Sequence, residues 1–263
     1  MKIKILTLFF CFIGLSLSAN EYTTKKDISY TYSTNKYALE RCKLDIYYPK
    51  KQNNCPVIVW FHGGGLTSGN KDIPYELKEK GYVVVGVNYR LMPHVSIDSC
   101  INDAANAVAW CFNNIKNYNG DVSKIYVSGH SAGGYLSAMI GLDKTWLEKF
   151  DIDANQLKAI IPFSGQMITH FAHRDSQGIG NLQPTIDRYA PLYHVRKDGC
   201  PIILITGGRD IELFGRYEEN AYMYRMLLLN GHQGVELYEL DGHDHGAMAH
   251  PAFHILINTI EKN

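Results

Sequence analysis

An excess of either charge is missing from this chain. Twenty-six lysines and arginines stand against twenty-six aspartates and glutamates. With no net field, neither nucleic acid nor an anionic membrane is an expected partner. The six cysteines include no C-x-x-C pair, so neither a zinc ribbon nor a dithiol redox centre has support. No H-E-x-x-H occurs, no internal repeat or low-complexity tract is visible, and no linker divides the sequence. No apolar run is long enough to span a bilayer comfortably. What is present is 263 residues with 46% hydrophobic content, which suits one α/β domain with a sizeable core.

The first residues have the pattern of an export leader. Lys2 and Lys4 give a basic start, Ile5 to Leu17 is an apolar run, and Ser16, Ser18 and Ala19 are small enough for cleavage. The expectation is a signal peptide over residues 1–19, an exported protein, and a catalytic domain over 20–263. Cys42, Cys55, Cys100, Cys111 and Cys200 would remain. Export permits bridges among them without requiring any, and buried thiols are the default.

Continuous apolar runs at Val57 to Phe61, Tyr82 to Val87, Ile125 to Ser128, Leu157 to Phe163 and Pro201 to Thr206 read as strands covered on both faces. Leu39 to Tyr48 and Val235 to Leu240 complete the set, and residues 20–37 form a lead-in with room for an edge strand. Helical spacing is clear from Asp98 to Lys116. It is also expected around Pro74 to Lys80, from Tyr135, from Tyr217 to Leu229 and from Pro251 to Ile260. Strands alternating with helices predict a mostly parallel twisted sheet with helices on both faces. Residues 165–197 lack a core pattern, and the expectation is an insertion over the site that shapes a substrate pocket.

Gly129-His130-Ser131-Ala132-Gly133 has the form G-x-S-x-G between a strand and a helix. Such a turn holds a serine hydroxyl exposed. The serine needs a base, and the base needs an orienting group. In a parallel sheet both belong on loops that leave later strands. Two such loops are present, Gly207-Gly208-Arg209-Asp210 and Asp241-Gly242-His243-Asp244-His245-Gly246. Glu212 lies two positions beyond Asp210 and competes with it. His243 competes with His245, and Asp244 is adjacent to the base. Phe61-His62-Gly63-Gly64-Gly65 follows a strand, and its glycines can turn N–H groups toward one point.

Together His62-Gly63-Gly64-Gly65, Gly129 to Gly134, Gly208-Arg209-Asp210 and His245-Gly246 resemble the α/β-hydrolase fold. More narrowly they resemble its HGGG-containing carboxylesterases and lipases, with acetyl-xylan or feruloyl esterase-like and kynurenine-formamidase-like branches. That resemblance implies Ser131 as nucleophile, His245 as base and Asp210 as its orienting acid. It also implies an oxyanion hole from the N–H groups of Gly64, Gly65 and Ala132, with Gly63 able to replace one of the first two. No cofactor and no metal are called for, and the implied substrate is a small-molecule or glycan ester with a short acyl group.

Formamide or amide cleavage on the same triad is the alternative. Two further readings come from other classes. One is a non-catalytic binding module on the same fold. The other is a metal-dependent hydrolase built on His243, Asp244, His245, His250 and His254. His130 and His62 are expected to pack and hydrogen-bond, Asn88-Tyr89-Arg90 to form a structural ion pair, and His170, His173 and Arg174 are candidate pocket residues.

Overall fold

The structure is a computed structural model that describes residues 21–262. The expected leader over 1–19 lies outside the described residues.

The lead-in supplies an edge strand, β1 (Tyr22–Ser29). A short helix, α1 (Lys36–Arg41), turns the chain back. Its N-cap Asn35 accepts the Ala38 N–H through its side chain at 3.1 Å. Strand β2 (Lys43–Pro49) then pairs antiparallel with β1 on one side. Three apolar strands follow: β3 (Cys55–Phe61), β4 (Val83–Val87) and β5 (Gly120–His130). The rest of the sheet is β6 (Ala159–Phe163), β7 (Ile202–Gly207) and β8 (Val235–Leu240). The eight strands lie in the order β1-β2-β4-β3-β5-β6-β7-β8. β2 is antiparallel to β4, and every later pairing is parallel.

The continuous apolar runs have a direct cause. In β3, Val57, Val59 and Phe61 enter one core while Ile58 and Trp60 enter the other. Both faces are covered, so no position in the strand can be polar. The first core is closed by α2 (Ile97–Asn114), α3 (Ala132–Leu142), α4 (Thr145–Glu148) and, later in the chain, α6 (Arg216–Leu229). The second is closed by α7 (Ala249–Glu261), through Ala252, Phe253, Leu256, Ile257 and Ile260. Arg90 and Asp103 make a bidentate pair on the α2 side, with Nε–Oδ2 at 2.8 Å and Nη2–Oδ1 at 2.7 Å.

Three local expectations differ from the structure. The strand expected from Leu39 begins only at Lys43, because Leu39 to Arg41 belong to α1. The helix expected from Pro74 to Lys80 is one 3-10 turn, Tyr75–Leu77, in which only Leu77 is buried. With a single apolar anchor there is no face to hold a longer helix, and Lys78 is already extended. The insertion does carry a helix, α5 (Phe171–Ser176), which His170 caps by accepting the Ala172 N–H at 3.2 Å.

The parallel strands place the ends of β3, β5, β6, β7 and β8 on one edge. Residues 62–65, 131, 164, 212 and 245 all lie on segments that leave those ends. This is the edge at which open α/β sheets assemble their sites.

Candidate active site

Ser131 is the hinge between β5 and α3, with φ 57° and ψ −113°. A non-glycine residue rarely takes that conformation, and holding it is a sign of function. The neighbouring glycines make the turn sterically possible. A Cβ on Gly129 would come 2.5 Å from the Phe61 carbonyl oxygen, and one on Gly133 would run into the same oxygen. The Ser131 N–H donates to the Phe163 carbonyl at 2.8 Å, which fixes the turn to β6.

The hydroxyl of Ser131 lies 2.8 Å from His245 Nε2. On the other side of the ring, His245 Nδ1 lies 2.7 Å from Glu212 Oε1. The sequence places Asp210 in that role, and here the structure corrects it. Asp210 is exposed on the turn after β7, whereas the Glu212 side chain is 1% exposed. The reason is the winding of the turn. The N–H groups of Ile211 and Glu212 both donate to the Gly208 carbonyl, at 3.1 and 2.9 Å. In a chain wound this way, residues two apart point to nearly opposite sides. Only one of the two carboxylates can face inward, and it is Glu212.

The carboxylate of Glu212 is saturated with donors. Oε1 accepts the Leu213 N–H at 2.8 Å, and Oε2 accepts the Gly207 N–H at 2.9 Å and the Ser164 hydroxyl at 2.8 Å. Burial alone would push this carboxyl up. The bonds from His245, Leu213 and Gly207, with the charge of His245, outweigh it and hold the group down to about 2. It is therefore a carboxylate throughout the neutral range.

The rivals within the His245 loop have other work. Asp244 Oδ1 accepts the N–H groups of Gly246 and Ala247, at 3.0 and 2.8 Å, and so closes the turn. His243 Nδ1 donates to the Asp241 carbonyl at 3.0 Å. His130 Nε2 donates to the His245 carbonyl at 2.7 Å, which steadies the loop from the elbow. Burial, and then the neighbouring His245, bring His130 down to about 4, so its ring is neutral.

The glycine loop packs directly on the elbow. A Cβ on Gly63 would lie 3.5 Å from Ser131 Cβ. His62 stacks on Tyr89 with ring centroids 4.5 Å apart, and its carbonyl accepts the Tyr89 hydroxyl at 2.9 Å. His62 Nδ1 donates to the Gly63 carbonyl at 2.6 Å, and the Gly64 carbonyl accepts the N–H of Thr67 and of Ser68. In a trans peptide the N–H points opposite to the carbonyl. The Gly64 and Gly65 N–H groups are thus turned away from those partners. Ala132 opens α3, where an N–H has no acceptor within the helix.

Several neighbours of the candidate site carry no motif. Ser164 touches both Glu212 and His245, the latter at 2.9 Å from Nδ1. From α6, Arg216 Nη1 donates to the Ser164 carbonyl, and Glu219 Oε2 accepts the Met167 N–H at 2.9 Å. These bonds pin the start of the insertion. Phe171 stands over the glycine loop, since a Cβ on Gly65 would come 2.8 Å from its ring. Of the expected pocket residues, Arg174 is buried and donates to the carbonyls of Thr169, Asn181 and Gln183. It serves as a staple of the loop. His170 is buried as the α5 cap, and the His173 ring meets Tyr189 at 4.8 Å. His250 pairs with Glu76 at 2.9 Å. Among the described residues no three His, Cys, Asp or Glu side chains are grouped to hold a metal ion.

The eight-stranded sheet and its helices form an α/β-hydrolase fold. Solved structures share it, including a "truncated form of carbohydrate esterase from gut microbiota" with a TM-score of 0.75 at 18% identity, over 94% of this chain and 98% of that one. A probable isoprenylcysteine alpha-carbonyl methylesterase of Oryza sativa, ICMEL1, is 28% identical over 78% of this chain and 54% of its own length. Esterase LipC of Mycobacterium tuberculosis is 26% identical over 73% of this chain and 53% of its own. The chain thus spans about half the length of these relatives. The family model described as BD-FAE matches residues 44–214, from β2 to the acid loop, and by that match over more than half of its length this chain belongs to the BD-FAE family.

Proposed function

We propose that this protein is a serine carboxylesterase that cleaves short acyl esters through Ser131, His245 and Glu212. One observation carries the reading: the relay from Ser131 Oγ through the His245 ring to Glu212, with contacts of 2.8 and 2.7 Å. Glu212, ionised and buried, requires the proton of His245 on Nδ1, which leaves Nε2 free to accept the Ser131 proton. Ser131 then attacks the ester carbonyl. In this reading the N–H groups of Gly64, Gly65 and Ala132 receive the developing oxyanion. His245 returns the proton to the leaving alcohol, and a water activated by the same ring releases the acid from Ser131. The names of the relatives, a methylesterase and an esterase, support the reaction class.

The short acyl preference rests on Phe171, whose ring closes the space above Gly65. α5 is only six residues long and offers little apolar cover for a lipid chain. The test is hydrolysis of p-nitrophenyl esters from acetate to octanoate by wild type and Ser131→Ala. Rates that fall with chain length in wild type and vanish in the variant are expected. Equal rates in the two proteins would sink the serine mechanism, and a rise toward octanoate would sink the short acyl preference.

A further inference from the structure

Ser164 stands where β6 gives way to the insertion, and its backbone has φ 45°, a conformation that disfavours any residue with a Cβ. Both its peptide groups are tied down. Its N–H donates to the Ile205 carbonyl at 2.7 Å, and its carbonyl accepts from the buried Arg216 guanidinium. The whole residue is buried. A glycine would meet the backbone requirement at lower cost, so the side chain is what the strain retains.

The hydroxyl lies 2.8 Å from Glu212 Oε2 and 2.9 Å from His245 Nδ1. Only one proton arrangement satisfies both contacts. The carboxylate has no proton to give, so Ser164 must donate to it. The lone pair of Ser164 then faces Nδ1, and that nitrogen must carry a hydrogen. The Nδ1–H is shared between Glu212 Oε1 and Ser164 Oγ, and Nε2 is bare toward Ser131.

From this geometry we infer that Ser164 is a positioning residue of the esterase reaction: its hydroxyl locks the plane of Glu212 and fixes the His245 tautomer that can accept the Ser131 proton. The inference rests on the serine esterase reading above. Ser164 touches no substrate atom in this scheme and acts through the acid and the base. The contact also has a use after proton transfer. The imidazolium then formed keeps two acceptors at Nδ1, so a small swing of the ring between Ser131 and the leaving alcohol does not strand its proton.

The experiment compares Ser164→Ala and Ser164→Gly with wild type on p-nitrophenyl acetate, with melting temperatures measured alongside. The glycine variant matters because it relieves the positive φ and so keeps the fold where alanine could fail. Loss of one positioning contact should lower kcat roughly 10- to 100-fold with KM unchanged in both variants. A purely structural role would instead lower the melting temperature and leave the kcat of folded protein intact. A second readout is the rate at which a fluorophosphonate labels Ser131, a single turnover free of background hydrolysis. Adding Ser164→Gly to Glu212→Gln should leave that rate within about twofold of Glu212→Gln alone, because both changes break one unit. A kcat within about twofold of wild type in Ser164→Gly, or losses that multiply in the double variant, would overturn the inference. Should Ser131→Ala retain full activity, the esterase reading itself fails, and the two failures are thereby told apart.

Discussion

Replacing Glu212 by glutamine tests the acid assignment with a change of a single heavy atom. The carboxylate accepts four donors: His245 Nδ1 and the Leu213 N–H on Oε1, the Gly207 N–H and the Ser164 hydroxyl on Oε2. An amide has one oxygen and a group that can only donate. If its oxygen stays on the Gly207 and Ser164 side, the NH2 faces Nδ1 and the imidazole must place its hydrogen on Nε2. Nε2 then donates toward Ser131 and cannot accept from it. If the amide turns over, its NH2 opposes the Gly207 N–H, and a buried donor is left unpaired at a cost of about 1–3 kcal/mol.

The turned-over orientation keeps the tautomer and costs stability; the first disables the base, and loss of the correct tautomer in such a triad costs about 10³- to 10⁴-fold in kcat. That is about 4–5 kcal/mol of barrier. Asp210→Asn should stay within about twofold of wild type, since an exposed side chain away from the relay contributes little. Initial rates on p-nitrophenyl acetate, corrected for the folded fraction, give both numbers. A collapse of activity in Asp210→Asn with Glu212→Gln intact would refute the geometric argument outright.

The remaining expectations follow from the same contacts. Gly133→Ala should destabilise the protein strongly and abolish activity, because the new Cβ meets the Phe61 carbonyl oxygen; a soluble, active variant with wild-type melting would contradict the turn geometry. Acid should weaken the fold through Glu212. Its folded pKa of about 2 lies below the ordinary 4.5, so its contribution, about 3 kcal/mol, is fully present above pH 4.5 and is lost as pH falls toward 2. The stability gap between wild type and Glu212→Gln, followed by denaturant titration, should narrow over that window, and a gap independent of pH would count against it. Iodoacetamide should leave activity unchanged in native protein. All five described cysteines are free and buried, and burial pushes the thiols of Cys42, Cys100 and Cys200 up to about 12; rapid inactivation would show an accessible thiolate.

The parts of the site that the sequence discloses are those that a short segment determines alone. Ser131 is legible because the glycines at 129 and 133 answer to close contacts within the turn itself and with the Phe61 and His62 carbonyls beside it. The strands are legible because coverage on both faces leaves no choice of residue type, as Val57 to Phe61 shows. His245 is legible because its loop follows a strand and holds few candidates. The Pro74 to Lys80 helix fails for the complementary reason, since its formation depended on apolar anchors that the segment does not have beyond Leu77.

The acid and Ser164 belong to a different kind of information. Asp210 and Glu212 are equally good carboxylates in composition, and the choice between them is one of phase. Two N–H groups closing on the Gly208 carbonyl start the turn, and that start decides which side chain faces Gly207 and His245. Nothing in the order of residues from 207 to 213 states where a turn begins. Ser164 is further from view, because its contacts span 48 and 81 residues of sequence and its neighbours lack any recognisable spacing. Its one local mark, a left-handed backbone at a residue with a Cβ, exists only once the chain is folded. A local motif can name the candidate nucleophile, but the groups gathered around it are set by three separate strand ends meeting on one edge of the sheet. Substitutions that shift β7, which carries the Glu212 turn and is not bonded to Ser131, should therefore disturb catalysis before they disturb the elbow.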